Sequence, residues 1–173
     1  MDEIDPNQLE LRVYPDPILK EVCIPFQTPL PDNIAEIAEV MLDIMYDYDG
    51  IGLAAPQAGL NKRIIVYDLS GDGDEPNALV NPEIIEFDKD IKDGEEGCLS
   101  FPEIRAPVSR SQTIKIKALE LNGDEIEFEC GELAAIMFQH EIDHLNGISF
   151  VDRVEDKEKE NISSQLFELE KLR

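Results

Sequence analysis

The chain has 173 residues, 42% hydrophobic and 31% charged, so it can bury a core and is neither a disordered tail nor a mini-protein in need of disulfides. Lys plus Arg number 15 against 39 Asp plus Glu, a formal net charge of −24, which argues against a binder of nucleic acid or of an anionic membrane. No apolar run approaches the ~18 residues of a membrane span, and the acidic start of the chain lacks the charged-then-apolar layout of a secretion signal. The length and composition predict one soluble, cytoplasmic domain over residues 1–173.

In chain order, residues 1–12 read as a loose arm, and Tyr14-Pro15-Asp16-Pro17 as a rigid extended turn. Across 32–49 the apolar residues Ile34, Ile37, Ala38, Met41, Leu42 and Met45 recur at intervals of three and four. That spacing predicts an N-terminal amphipathic helix, capped by Asp32 or Asn33 and stopped by Gly50. The run 63–68 (RIIVYD) predicts a strand, and 77–87 two short strands broken at Asn81-Pro82, with Gly71-Asp72-Gly73-Asp74 as a solvated loop between them. Alternation over 113–129, interrupted by Asn122-Gly123, predicts a hairpin. A 3.6-residue period returns over 132–146 and ends at Gly147. A last helix is expected over 155–172. Strands followed by a central and a terminal helix point to an α+β fold, with antiparallel sheets around the central helix.

Three cysteines, Cys23, Cys98 and Cys130, are odd in number and widely spread, unlike a secreted disulfide scaffold. The two histidines of the chain, His140 and His144, stand in His140-Glu141-Ile142-Asp143-His144 on the predicted central helix. Residues four apart share a helical face, so both imidazoles can hold one metal ion while Glu141 lies beside it as a proton acceptor. Two histidines leave a catalytic metal one ligand short. In the longer three-histidine peptidase pattern Gly147 falls at the glycine place, but Phe150 occupies the place of the last His. A glutamate of the following helix (Glu155, Glu158 or Glu160) or Cys98 could supply the third ligand. A calcium loop counted from Asp68 fails, because Leu79 stands where the bidentate Glu is required. Asn161-Ile162-Ser163 has the form of a glycosylation site, but with no export signal read at the start no glycosylation is expected.

Three motifs together resemble a known family. Gly50-Ile51-Gly52-Leu53-Ala54-Ala55-Pro56-Gln57, Glu96-Gly97-Cys98-Leu99-Ser100 and the stretch from Gln139 through His140, Glu141 and His144 to Gly147 are similar, in order and separation, to peptide deformylase. The likeness runs from Tyr14, with Lys20 where Arg is commoner, to about Arg153. It implies removal of the formyl group from the N-terminal formyl-methionine of newly synthesised polypeptides, with transient proximity to the ribosome, while the charge balance predicts no direct nucleic-acid or membrane binding. It also implies a metal held by Cys98, His140 and His144, one Fe2+ per chain, with Zn2+, Ni2+ or Co2+ as substitutes. Glu141 would carry a proton from the attacking water to the leaving amine, and the Leu99 N–H and Gln57 amide would meet the developing oxyanion. Substrate would lie along Gly50, Ile51 and Gly52. Its methionine side chain would meet Ile51, Leu133, Ile136 and Met137, with Glu96 nearby and Arg105 at the rim. Gly94 departs from an aliphatic residue common in the family, which predicts a roomier pocket or a more mobile loop.

Overall fold

In a computed structural model describing residues 3–172, an antiparallel five-stranded sheet lies between two helices. Its strands are β1 (Gly52–Ala54), β2 (Ile64–Tyr67), β3 (Asn77–Phe87), β6 (Thr113–Leu119) and β7 (Glu125–Gly131), paired in the order β1-β2-β3-β6-β7. The intervening strands, β4 (Ile91–Cys98) and β5 (Phe101–Ser111), form a separate antiparallel pair. Helices α1 (Ile34–Asp47) and α2 (Glu132–Leu145) cover the two faces of the larger sheet, and α3 (Phe150–Arg153) and α4 (Asp156–Lys171) pack against β5. The α+β class read from the sequence is the class observed. Met1, Asp2 and Arg173, termini of the predicted domain, lie outside the described residues.

Strand β2 explains why the run after Arg63 is apolar without alternation. Ile64 and Val66 pack with Ile37, Met41 and Met45 of α1, whereas Ile65 packs with Ala135, Phe138 and Ile142 of α2. A strand buried on both faces needs apolar side chains in both phases. The predicted hairpin is present, with Leu119 opposite Glu125 and Gly123 at φ 90° in the connection.

Four expectations are corrected. The stretch 77–87 is one strand, not two. Asn81 takes a φ of 50° and the register against β6 shifts there, so Asn81-Pro82 kinks the strand without ending it. At the start of α1, Asn33 occupies the cap position but donates its side-chain amide to Ile4 O at 2.8 Å instead of capping. At its end Asp49, not Gly50, adopts the left-handed conformation, with φ 58°. The arm is docked, not loose: Ile4, Leu9 and Leu11 pack on the core beside α1, and the Arg12 N–H donates to Gln57 O at 2.7 Å. Three strands (β1, β4, β5) and the single turn α3 were not expected from the sequence.

The Asp68 loop is closed by the protein itself. Its carboxylate accepts from Tyr46 Oη, Ser70 N and Oγ, and Glu75 N, and these hydrogen bonds, led by that of Ser70, hold its pKa below the usual carboxylate value.

Helix α2 ends as predicted at Gly147, where φ is 73° and a Cβ would lie 2.5 Å from Lys20 O. Gly123 has a similar left-handed φ, yet nothing lies within 4 Å of its Cβ position. Gly147→Ala is therefore expected to cost about 2–4 kcal/mol, strain plus backbone clash, whereas Gly123→Ala costs only about 1 kcal/mol. Urea unfolding of the two variants measures the difference, and equal losses would show that the Lys20 contact carries no weight.

Candidate active site

Helix α2 is buried on nearly every side, polar residues included: Gln139, His140, Glu141, Asp143 and His144 all lie in the interior. His140 and His144, one turn apart, face each other edge-on with ring centroids 5.1 Å apart. Cys98 comes to them from the end of β4, where the register shifts after Gly97 and the chain turns at once into β5, with Cys98 opposite Phe101. Its Sγ lies 3.3 Å from His144 Nε2. The ligand atoms of Cys98, His140 and His144 all lie within 4.8 Å of one another, close enough to hold one metal ion. Among the described residues no such group includes Glu155, Glu158 or Glu160, so the glutamate alternative for the third ligand is not supported.

The surroundings suit such a group. His140 Nδ1 is 2.9 Å from Glu96 Oε1, and Arg110 Nε and Nη2 donate to both oxygens of that carboxylate at 2.9 and 3.0 Å. Burial alone would push Glu96 up, but the bonds from His140 and Arg110 outweigh it and hold its pKa at about 2. An ionised carboxylate only accepts, so Nδ1 carries a proton. Burial opposes a second one, but the Cys98 and Glu96 contacts raise the His140 pKa well above the ordinary imidazole value, so a metal at Nε2 would have to displace a proton there. Burial keeps His144 well below the usual imidazole pKa, hence neutral, the form that ligates.

Gln57 follows β1 in a tight turn, Ala55–Ala58, and is 1% exposed. Its Oε1 accepts from Ala54 N at 2.9 Å, while Nε2 points to Cys98 Sγ and Ser100 Oγ, each at 3.3 Å. The amide is thus fixed with its donor end toward the thiol. Glu141 has one oxygen, Oε2, buried without a protein partner, and burial raises its pKa to about 7 despite the opposing charge of His140. A carboxyl that titrates near neutrality is suited to taking and returning a proton. Gly52 makes room for it: a Cβ there would sit 2.9 Å from Glu141 Oε1.

All of this opens on a cleft of about 510 Å³. Of the residues singled out from the sequence, Gly50, Ile51, Gly52, Gln57, Glu96, Cys98, Leu99, Arg105, Leu133, Ile136, Met137, His140 and Glu141 line it, while His144 lies fully buried behind them. Gly94 is not a lining residue; it sits in β4 opposite Val108. Ser100, Arg110 and Asp143 were not assigned a part from the sequence. The available signal was in β5, where Ile104, Ala106, Val108 and Arg110 alternate inward, which places an arginine at a core position.

A buried carboxylate beside a sulfur-and-nitrogen donor set, both at one cleft, defines the class: a metal-dependent hydrolase. Comparison with known proteins narrows it. The family model described as polypeptide deformylase matches residues 8–160. A peptide deformylase of Hydrogenovibrio crunogenus is 47% identical over 148 residues, 86% of each chain. One from a Thermotoga species (strain RQ2) is 42% identical over 159 residues, 92% of this chain and 94% of its own. The crystal structure of a plant peptide deformylase superposes with a TM-score of 0.92 at 38% identity, covering 99% of this chain and 93% of the other. The chain belongs to the peptide deformylase family, metal-dependent hydrolases that remove the formyl group from the N-terminal methionine of nascent polypeptides.

The contact at Gly52 generates a prediction. Gly52→Ala displaces the Glu141 carboxylate and is expected to lower turnover by about 10²-fold, the usual cost of a misplacement near 1 Å. Metal content stays unchanged, because no ligand is touched. Elemental analysis beside kcat tests the pair, and unaltered turnover would mean that Glu141 tolerates the shift.

Proposed function

We propose that this chain deformylates N-formylmethionyl nascent chains at the cleft between β1 and β4, with one metal ion held by Cys98, His140 and His144. The observation that carries the reading is the meeting of Cys98 with both histidines within 4.8 Å, beside the buried and unpaired Glu141 oxygen. Thiolate with two imidazoles suits ferrous, zinc, nickel or cobalt ions. We take Fe2+ as the resident ion, one per chain. When bound, the ion supplies a Lewis acid that polarises the formyl oxygen and acidifies a water.

The remaining work falls to the chain. Glu141 accepts the proton of the attacking water and passes it to the amine as the formyl carbon–nitrogen bond breaks, so formate and a free N-terminus leave. As the formyl oxygen gains charge, the Gln57 side-chain N–H and the Leu99 backbone N–H donate to it. Anchored through Ala54 N and Ser100, the Gln57 amide needs little reorganisation at that moment. The substrate backbone extends along Gly50, Ile51 and Gly52. The glycines at both ends of that stretch make room for protein side chains, a Cβ on Gly50 meeting Leu99 Cδ1 at 2.8 Å and one on Gly52 meeting Glu141 Oε1 at 2.9 Å. The methionine side chain enters between Ile51, Leu133, Ile136 and Met137. Arg105, exposed and paired with Glu95 at 3.3 Å, stands at the rim. Both oxygens of Glu96 are engaged by His140 and Arg110, so its part is to shape the floor.

The whole chain, 1–173, acts on this reading as one domain, in the cytoplasm and in transient proximity to the ribosome. No helix among the described residues is long and apolar enough to cross a membrane. The net charge of −24 supports capture of exposed N-termini without direct contact to ribosomal RNA.

Formate release from formyl-Met-Ala-Ser by anaerobically prepared protein tests the activity. Cys98→Ala, His140→Ala and His144→Ala are each expected to lose most bound metal. Glu141→Gln keeps its metal while turnover falls by about 10²-fold or more. Full metal occupancy in Cys98→Ala would remove that ligand from the set.

The choice of iron has its own check. Oxygen has two targets at a ferrous thiolate site, the ion and Cys98 itself. Iron-loaded enzyme is therefore expected to lose activity in air much faster than nickel-loaded enzyme. Equal lifetimes would argue against iron oxidation as the route of loss.

A further inference from the structure

Phe150, where a longer zinc motif would carry a third histidine, opens the one-turn helix α3, and its ring stacks on that of His140 at 6.0 Å between centroids and 22° between planes. Three residues on, Arg153 closes the same turn and grips Asp143 of α2, with Nη2 to Oδ1 at 2.9 Å and Nε to Oδ2 at 3.2 Å. Asp143 Oδ2 also accepts from Arg110 Nη1 of β5 at 2.6 Å. Arg110 in turn holds Glu96 of β4 by two parallel bonds, and Glu96 meets His140 Nδ1. Glu96, Arg110 and Asp143 are buried, whereas the Arg153 side chain is 46% exposed.

We propose that α3 is a brace for His140, in which Phe150 fixes the plane of the ring and Arg153, acting through Asp143, Arg110 and Glu96, fixes its rotation and tautomer. Both are positioning residues. The inference rests on His140 being a metal ligand, as set out above, and extends the site to an element that touches neither metal nor substrate.

The geometry favours transmission along this chain over a set of independent pairs. Each guanidinium is planar and holds a carboxylate by two donors, or bridges two carboxylates, so rotation of one member turns the next out of plane. Glu96 and Asp143 stand on different elements and share Arg110 as their common partner. Loss of Arg153 frees Asp143 on one side. Arg110 then loses its fixed second anchor, and Glu96 loses the fork that aims it at Nδ1. The outer partner of a metal-binding histidine typically changes metal affinity by about 10–100-fold.

Arg153→Ala is the decisive variant, since its half-exposed side chain can be removed without opening the core. Two readouts are needed. One is the rate at which zinc-loaded protein releases zinc to a chelator. The other is the His140 Nδ1–H signal in histidine-labelled protein by nitrogen-15 NMR, with and without zinc. Arg153→Ala is expected to speed release about 10-fold or more and to broaden or shift the Nδ1–H signal in both states. Arg153→Lys, a point charge without the fork, recovers only part of either effect. Phe150→Leu is expected to act in the same direction. Release and Nδ1–H signal both unchanged in Arg153→Ala would overturn the brace, as would a lower melting temperature with both readouts intact. The metal content of the unaltered protein reports separately on the ligand set, and the metal-free Nδ1–H signal tests the brace whatever that content is.

Discussion

A helix buried on nearly every side has to carry five polar side chains within six residues, and the rest of the molecule is arranged around satisfying them. Each buried polar group left without a partner costs about 1–3 kcal/mol. Gln139 is answered by the backbone of Ser111 and by Ala135 O. Asp143 is answered by two arginines and His140 by Glu96. All these partners apart from Ala135 come from β4, β5 and α3, the elements that wrap the face of α2 away from the larger sheet. The small β4–β5 sheet is thus a polar lining for the helix as well as a wall of the cleft. Glu141 Oε2 and His144 Nδ1 are the side-chain atoms of α2 that remain buried without a protein partner among the described residues. Satisfaction is withheld at Glu141, which lines the cleft, and at His144 behind it.

The parts of the fold that could be read from the sequence are those whose burial follows a simple period. Helix α1 has one apolar stripe against one sheet face, and the hairpin of β6 and β7 alternates around Asn122-Gly123. Strand β4 escaped because most of its residues are exposed or polar and just one, Glu96, is fully buried. No period-2 apolar signal exists when the inward residue is a carboxylate. Strand β5 does alternate from Ile104 on, but the phase slips at Pro102-Glu103, where Glu103 takes φ 63°, and Pro107 on the outward side obscures the rest. Helix α3 is too short for any periodicity to register. Gly50 invited a helix-stop reading, yet its smallness serves the packing of Leu99 and Met45 while Asp49 makes the turn.

The site divides along the same line. His140, Glu141 and His144 could be found because they are local, four residues apart on one helix. The motifs around Gln57 and Cys98 were read through resemblance, since nothing in their spacing tells that two loops will meet at α2. Arg110 and Arg153 lie outside all three motifs. Their role depends on contacts across 33 and 10 residues of chain, which are visible only once β5 and α3 have docked. Long-range charge pairing leaves no local pattern, except that an arginine on the inward phase of a strand needs a buried carboxylate to answer it.

That pairing also bears on the acidic composition. In the interior Glu96 and Asp143 face Arg110 and the half-exposed Arg153. Buried Asp68 is held by hydroxyl and backbone donors and buried Glu141 is pushed toward neutrality, so few charges are buried unanswered. The excess that makes up the net charge of −24 therefore lies elsewhere, on solvated faces such as the outward sides of β7 and α4. Exposed charges are screened beyond a Debye length of about 8 Å at physiological ionic strength, while buried partners interact through a medium of lower dielectric. Surface acidity can consequently vary widely with little effect on Glu96, His140 or Glu141, whose protonation is governed by burial and direct hydrogen bonds. What the surface charge does govern is the approach of large anionic bodies, and that approach is decided outside the cleft. The chemistry of the site and the company the protein keeps are therefore set by two separate populations of carboxylates.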